Sequence, residues 1–183
     1  MTWIRGEHDG LGARLHDWFV GEVPLDRWTE RPGDQGCSLA WLVLHTSVHR
    51  DLAVQAVVRG EAPVHAAHWA GLGLGDLAPS AALNERDVLP AAVDVSAVLA
   101  YADAVQTATA AWLTTVTADD LDVVPPAAER LATAGVTADD VEWVAKRWTG
   151  QPVAWFLQWE AIGHTLLHHG EMAALRVRLG LRH

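Results

Sequence analysis

An all-α fold, a four-helix bundle with its site in the interior, is what this sequence predicts. Four long stretches place apolar residues at the spacing of a helix with one buried face, and no convincing alternating strand pattern accompanies them. The chain has 183 residues, half of them hydrophobic, which suits one domain with a sizeable core spanning residues 1–183. Long crossover loops and one short extra helix complete the expected layout.

The first helix is expected over residues 9–21, DGLGARLHDWFVG, where Leu11, Leu15, Trp18 and Phe19 recur at helical spacing and Gly21 ends the run. His8 and His16 read as surface residues. Residues 22–36 hold two Pro and two Gly among charges, the composition of a loop, with Trp28 expected to tuck it against the helices. Residues 37–59 form the second helix, with Ser38 as N-cap and Gly60 as stop. Residues four apart on a helix differ by about 40° around the axis. Trp41, His45, His49, Leu52 and Ala56 therefore share a face, and imidazoles interrupt an apolar stripe. Leu42, Leu44 and Val48 surround His45, while His49, beside Arg50 and Asp51, is expected nearer a wet end.

Residues 61–94 carry three Pro and three Gly and read as an irregular connection with a short helix over 80–87. His65 and His68 fall here as loop residues, or as the lining of a site mouth. A connection this long is usually functional or mobile. The third helix is expected over 95–116, its stripe formed by Val95, Val98, Leu99, Ala102, Val105, Ala108, Trp112 and Leu113. The hydroxyl of Tyr101 is expected to face a ligand or solvent. Two near-copies follow, VTADDLD at 116–122 and VTADDVE at 136–142, each a Thr N-cap before an acidic first turn. Pro125 and Pro126 break the first early; the second opens a short helix over 138–148 with Val141, Val144, Ala145 and Trp148 inward. The last helix runs over 153–180, entered after Pro152 and stopped at Gly180.

On that last helix Leu157, Glu160, His164, His168, Glu171 and Leu175 fall in a stripe roughly 80° wide. Leucines open and close it, so the four ionisable groups between them are core-facing. Burying such groups without partners costs about 1–3 kcal/mol each. A bound metal removes the conflict, because His at i and i+4 on one face can ligate one ion. A lone His on an apolar face is ordinarily a core residue with satisfied hydrogen bonds, so a third ligand from another helix is needed. His45 supplies it. His45, His164 and His168 make an open three-ligand set, the catalytic rather than the structural pattern. Neutral imidazoles suit zinc, nickel or iron. Glu171 is placed to orient a ligand or act as a base. Glu160, one turn before His164, reads as a fourth ligand or as a rim carboxylate.

The bulk numbers exclude several classes. A net charge of −10 repels phosphate backbones, so nucleic-acid binding is disfavoured. Cys37 is the single cysteine, no internal disulfide forms, and a reducing cytoplasm fits. The start, MTWIRGEHDG, has neither a basic nor an apolar signal region, so no signal peptide is expected. No apolar run reaches the roughly 20 residues that span a bilayer, so no membrane association is expected.

SLAWLVLHTSVHRDL followed by GHTLLHHGEMAALRVRLG resembles the DinB-like (YfiT-like) metalloprotein superfamily. Its members are four-helix bundles with one His on the second helix and HxxxH on the last, often followed by Gly and Gln or Glu. The matching positions here are His45, His164, His168, Gly170 and Glu171. The resemblance implies a divalent metal and thiol chemistry, with mycothiol as the cosubstrate in actinobacterial members and bacillithiol in bacillary ones. In such enzymes the metal holds the thiol as thiolate, because a divalent cation lowers the thiol pKa. The mycothiol-dependent maleylpyruvate isomerase branch has Glu where this chain has His164 and carries a further C-terminal domain, which favours the S-transferase branch.

The expected partners are therefore a low-molecular-weight thiol and an electrophilic small molecule, with a homodimer left open. A hydrolase that ionises water at the same metal, and a non-enzymatic metal-binding stress protein, are the competing classes.

Overall fold

In the computed structural model the described residues are 1–33, 36–136 and 138–181, and among them every regular element is helical. The first helix runs Thr2–Leu15 and continues as a wider π-helical turn, His16–Val20. It starts well before the expected Asp9. Gly6, Gly10 and Gly12 weaken the local helical signal, but contacts with the third and last helices outweigh propensity. His8, expected at the surface, is buried, with Gln106 Nε2 donating to its Nδ1 at 3.1 Å. Trp18, by contrast, is 51% exposed, while Phe19 is fully buried.

The second helix, Leu39–Asp51 continuing as Leu52–Arg59, is the buried centre of the fold. Ser38 caps it, its Oγ accepting from Trp41 N at 3.2 Å. Gly60 ends it at φ +70°, a left-handed conformation that Gly adopts without Cβ strain. Every residue from Leu39 to Val57 is buried, so Arg50 and Asp51 do not mark a wet end. The third helix, Val95–Leu113, packs on the second and is capped by Asp94, whose Oδ1 accepts from Ala97 N at 3.0 Å. Tyr101 faces neither ligand nor solvent: it is fully buried, and its hydroxyl donates to Asp51 Oδ2 at 2.9 Å.

The 61–94 connection is held at both ends. Asp51 Oδ1 accepts from Val64 N at 2.8 Å, and Oδ2 accepts from His65 N at 2.8 Å. This pins a short turn of helix, His65–His68. Further on, Asp87 Oδ2 accepts from the backbone N of Ser38 at 2.9 Å and from its Oγ at 2.7 Å. Between these anchors lies a 3₁₀ turn, Pro79–Leu83, packed against the second helix.

Beyond the third helix, Thr117 does not act as an N-cap acceptor. Both its N and its Oγ1 donate to Asp120 Oδ2, at 2.8 and 2.7 Å, and only a 3₁₀ turn follows, Asp119–Asp122. Thr137 lies outside the described residues. An additional helix, Ala127–Thr133, follows the Pro pair. Pro126 sits at its N-cap, where a missing N–H is tolerated, so the prolines start a helix as well as ending a segment. The short helix Ala138–Trp148 is kinked at Val141, and Val141, Val144 and Trp148 are buried.

The last helix runs Val153–Phe156, Leu157–Gly163 and His164–Arg178, with a π-helical middle. It packs on the first and second helices. A Cβ at Gly163 would lie 3.1 Å from the Gln158 carbonyl, a contact that would require the widened turn to shift by a few tenths of an ångström. Trp28, Trp41, Trp148 and Phe156 are each no more than 1% exposed, and Trp28 Nε1 donates to Val23 O at 3.0 Å. At about 25 cal/mol per Å², a buried aromatic side chain covering roughly 150–250 Å² contributes about 4–6 kcal/mol before entropy is set against it. No described helix is long and apolar enough to cross a membrane.

Candidate metal centre

Three imidazole nitrogens converge between the second and last helices. His45 Nε2 lies 3.2 Å from His164 Nε2, and His168 Nε2 lies 3.0 Å from the same atom. All three side chains are buried, at 1%, 6% and 4% exposure. The structure thus brings together the three residues expected to ligate a metal, and places Glu171 beside them.

The outer nitrogens are held by the fold. His45 Nδ1 faces Ala82 O at 2.7 Å, from the 3₁₀ turn of the long connection. His168 Nδ1 faces Glu171 Oε2 at 2.9 Å, one turn along the same helix. Both partners are acceptors, so each Nδ1 carries the hydrogen and each Nε2 is left bare. Only His164 Nε2 has a hydrogen to offer, and one hydrogen cannot serve two acceptors well. The buried Nδ1 of His164 meanwhile has no hydrogen-bond partner.

A cation among the three nitrogens resolves this conflict. Metal–nitrogen bonds of about 2.0–2.1 Å at tetrahedral angles put neighbouring nitrogens about 3.3 Å apart, close to the separations seen. Burial first, and then the nearby imidazoles of His49 and His168, lower the His45 pKa to about 3, and burial likewise pushes His164 far below the ordinary imidazole value. Both rings are therefore neutral near pH 7, the form that ligates. The donor set fits a divalent ion by chemistry, number and spacing.

A fourth group reaches the same place. The exposed carboxylate of Glu85 offers an oxygen within 4.8 Å of the three nitrogens. Nothing in the pattern around residue 85 flagged it, because it comes from the irregular connection rather than from a helix face. Its exposure means that this side of the site opens to solvent.

A second layer lies deeper. Glu160 is neither a rim residue nor exposed: its Oε2 is 3.0 Å from His49 Nδ1, and its Oε1 accepts from Trp148 Nε1 at 2.8 Å. His49 Nε2 in turn faces Leu83 O at 3.1 Å. His49, Glu160 and His164 also lie within 4.8 Å of one another through one ligand atom each, so they form an alternative or adjacent ligand group. Sequence spacing placed both His49 and Glu160 one turn from a ligand; what it lacked was the depth of the second helix.

His65 and His68 do not join the site. His65 Nδ1 faces Asp51 Oδ2 at 3.2 Å, and His68 lies against the Tyr101 ring at 5.9 Å between centroids. Surface grooves lie elsewhere as well. One of about 800 Å³, lined by Arg5, His16, Asp103 and Gln106, includes none of the clustered histidines.

No family model matches the chain, and no curated protein matches it. Fold and site together define an all-helical protein with buried His and Glu side chains at metal-ligating distance.

Proposed function

We propose that this protein is a four-helix bundle of the DinB-like kind acting as a metal-dependent thiol S-transferase. One observation carries the reading: three buried Nε2 atoms converge on one point, two of them on rings that burial keeps neutral. His45, His164 and His168 would hold a divalent ion, with zinc, nickel or iron all suited to imidazole. Such an ion supplies charge that lowers the pKa of a coordinated thiol and keeps it as thiolate at neutral pH.

The chain's own residues do the rest. Ala82 O and Glu171 fix the ring orientation of His45 and His168, as outer partners of metal-ligating histidines commonly do. Glu171, half-exposed at 49%, is also positioned to accept and return a proton at the solvent side. The exposed Glu85 marks the open flank by which a thiol and an electrophile would enter. The neutral rings around the site and the buried His49–Glu160 pair exclude water from its inner face.

The thiol itself is assigned by the sequence resemblance, which points to mycothiol. The test is turnover of a soft electrophile by metal-loaded protein with and without mycothiol. Thiol-dependent consumption of the electrophile supports the transferase. Equal rates without thiol point to a metal hydrolase, and no turnover with metal bound points to a binding protein.

A further inference from the structure

A second buried polar cluster lies outside the metal centre, among the first, second, third and last helices. Arg50 is its core. It is 6% exposed, and among the described residues no carboxylate comes within ion-pair distance of it. Its guanidinium donates to two neutral oxygens, Gln106 Oε1 and, at 2.8 Å, Thr165 Oγ1. Gln106 is oriented for this role, because its Nε2 donates to His8 O at 2.8 Å and so turns Oε1 toward Arg50.

The nearby acids are committed elsewhere. Asp51 accepts from Val64, His65 and Tyr101. Asp103 faces the exposed His16 at 2.8 Å. Two buried nitrogens of the cluster, Arg50 Nε and His169 Nδ1, have no hydrogen-bond partner. Both residues line one small cavity of about 20 Å³, shared with Gln106, Thr165 and Asp103, whose Oδ1 lies 2.8 Å from His16 Nε2. A water needs roughly 10–15 Å³ by this measure, so the space takes one small occupant. Water would satisfy hydrogen bonds but leave the buried charge unbalanced. Phosphate, sulfate and carboxylate-bearing metabolites are too large.

We propose that this cavity binds a chloride-sized monovalent anion, paired with the Arg50 guanidinium and hydrogen-bonded through the free Nε of Arg50 and Nδ1 of His169. Thr165 and His169 flank His168 on the last helix, so the anion would brace the same helix that carries two of the metal-centre histidines. The site is independent of the metal and of the reaction proposed above.

Bromide is the probe. Crystals grown in bromide and measured at the bromine edge should give an anomalous peak among Arg50, Thr165 and His169. In solution, chloride at constant ionic strength against gluconate should raise the thermal midpoint saturably, and Arg50→Met should abolish that response. Should Arg50→Met fail to fold, His169→Phe, which removes the Nδ1 donor, should shift the half-saturating chloride concentration upward, by about tenfold for one lost hydrogen bond. An anomalous map without a peak in the cavity, or a chloride response unchanged in these variants, overturns the proposal.

Discussion

His45 and His164 stand 119 positions apart in the chain, yet their Nε2 atoms are 3.2 Å apart in the folded protein. Each ring is fixed by a different part of the fold. The turn Pro79–Leu83 supplies the carbonyl that turns His45 inward, and the widened stretch Leu157–Gly163 leads directly into His164. Two helices and one irregular connection are therefore needed to assemble the pair.

The buried pair beneath the site makes a first prediction. Glu160→Ala leaves His49 without its carboxylate and Trp148 Nε1 without its acceptor. Each buried hydrogen-bonding group left without its partner costs about 1–3 kcal/mol. Urea unfolding of the metal-free protein should register a loss of that size. A change within about 0.5 kcal/mol, the range of an ordinary surface substitution, would show that Glu160 carries no such pairing.

Glu171 makes a second. Its carboxylate orients His168 from the solvent side, and outer partners of ligating histidines typically contribute about 10–100-fold in metal affinity or activity. Glu171→Ala should weaken metal binding by that factor. Glu171→Gln keeps an acceptor oxygen for His168 Nδ1, so it should retain metal. Its turnover should nevertheless fall, by roughly 10²–10⁴-fold if the carboxylate moves a proton. Competition against a chelator measures the first effect, and rates at matched metal occupancy measure the second. Wild-type rates in Glu171→Gln would confine the residue to orienting His168.

Much of this was legible in the sequence, and the exceptions have identifiable causes. The second helix was readable at both ends, because Ser38 and Gly60 are local signals. The 40° step between residues four apart put His164 beside His168 without any knowledge of the fold. His45 was singled out by its apolar neighbours, and it is buried as that pattern implied. His8, His49 and Tyr101 were misplaced for a common reason. Their burial depends on Gln106, Glu160 and Asp51, partners 98, 111 and 50 positions away, which no local window contains. The helix Ala127–Thr133 was hidden because Pro125 and Pro126 read first as breakers. The π-helical stretches escape any argument built on 3.6 residues per turn.

Acid should destabilise the metal-free protein. Burial lowers the pKa of His45 and of His8 from 6.5 to about 3, and that of His169 from 6.5 to about 4. The unfolded chain binds these protons first, so the stability contributed by neutral, buried rings is complete above about pH 6.5 and is lost as pH falls toward 3–4. Counting His164, which burial lowers further still, about four protons should be taken up on unfolding near pH 4–5, a slope of roughly 1.4 kcal/mol per pH unit for each. Unfolding free energies measured between pH 7 and pH 4 test this. A flat profile would mean that these histidines are already solvated in the folded state.

The account rests on an ion held by His45, His164 and His168, and metal content per folded chain tests it most directly. The measurement is elemental analysis of purified protein after equilibration with divalent ions and removal of excess, with His168→Ala carried alongside. Ala is a good helix former, so the variant should keep its helical circular dichroism while losing a ligand. The account predicts about one divalent ion per wild-type chain and loss of most of it in His168→Ala. A wild-type chain without bound metal, or a folded His168→Ala variant that binds as much as the wild type, would contradict it.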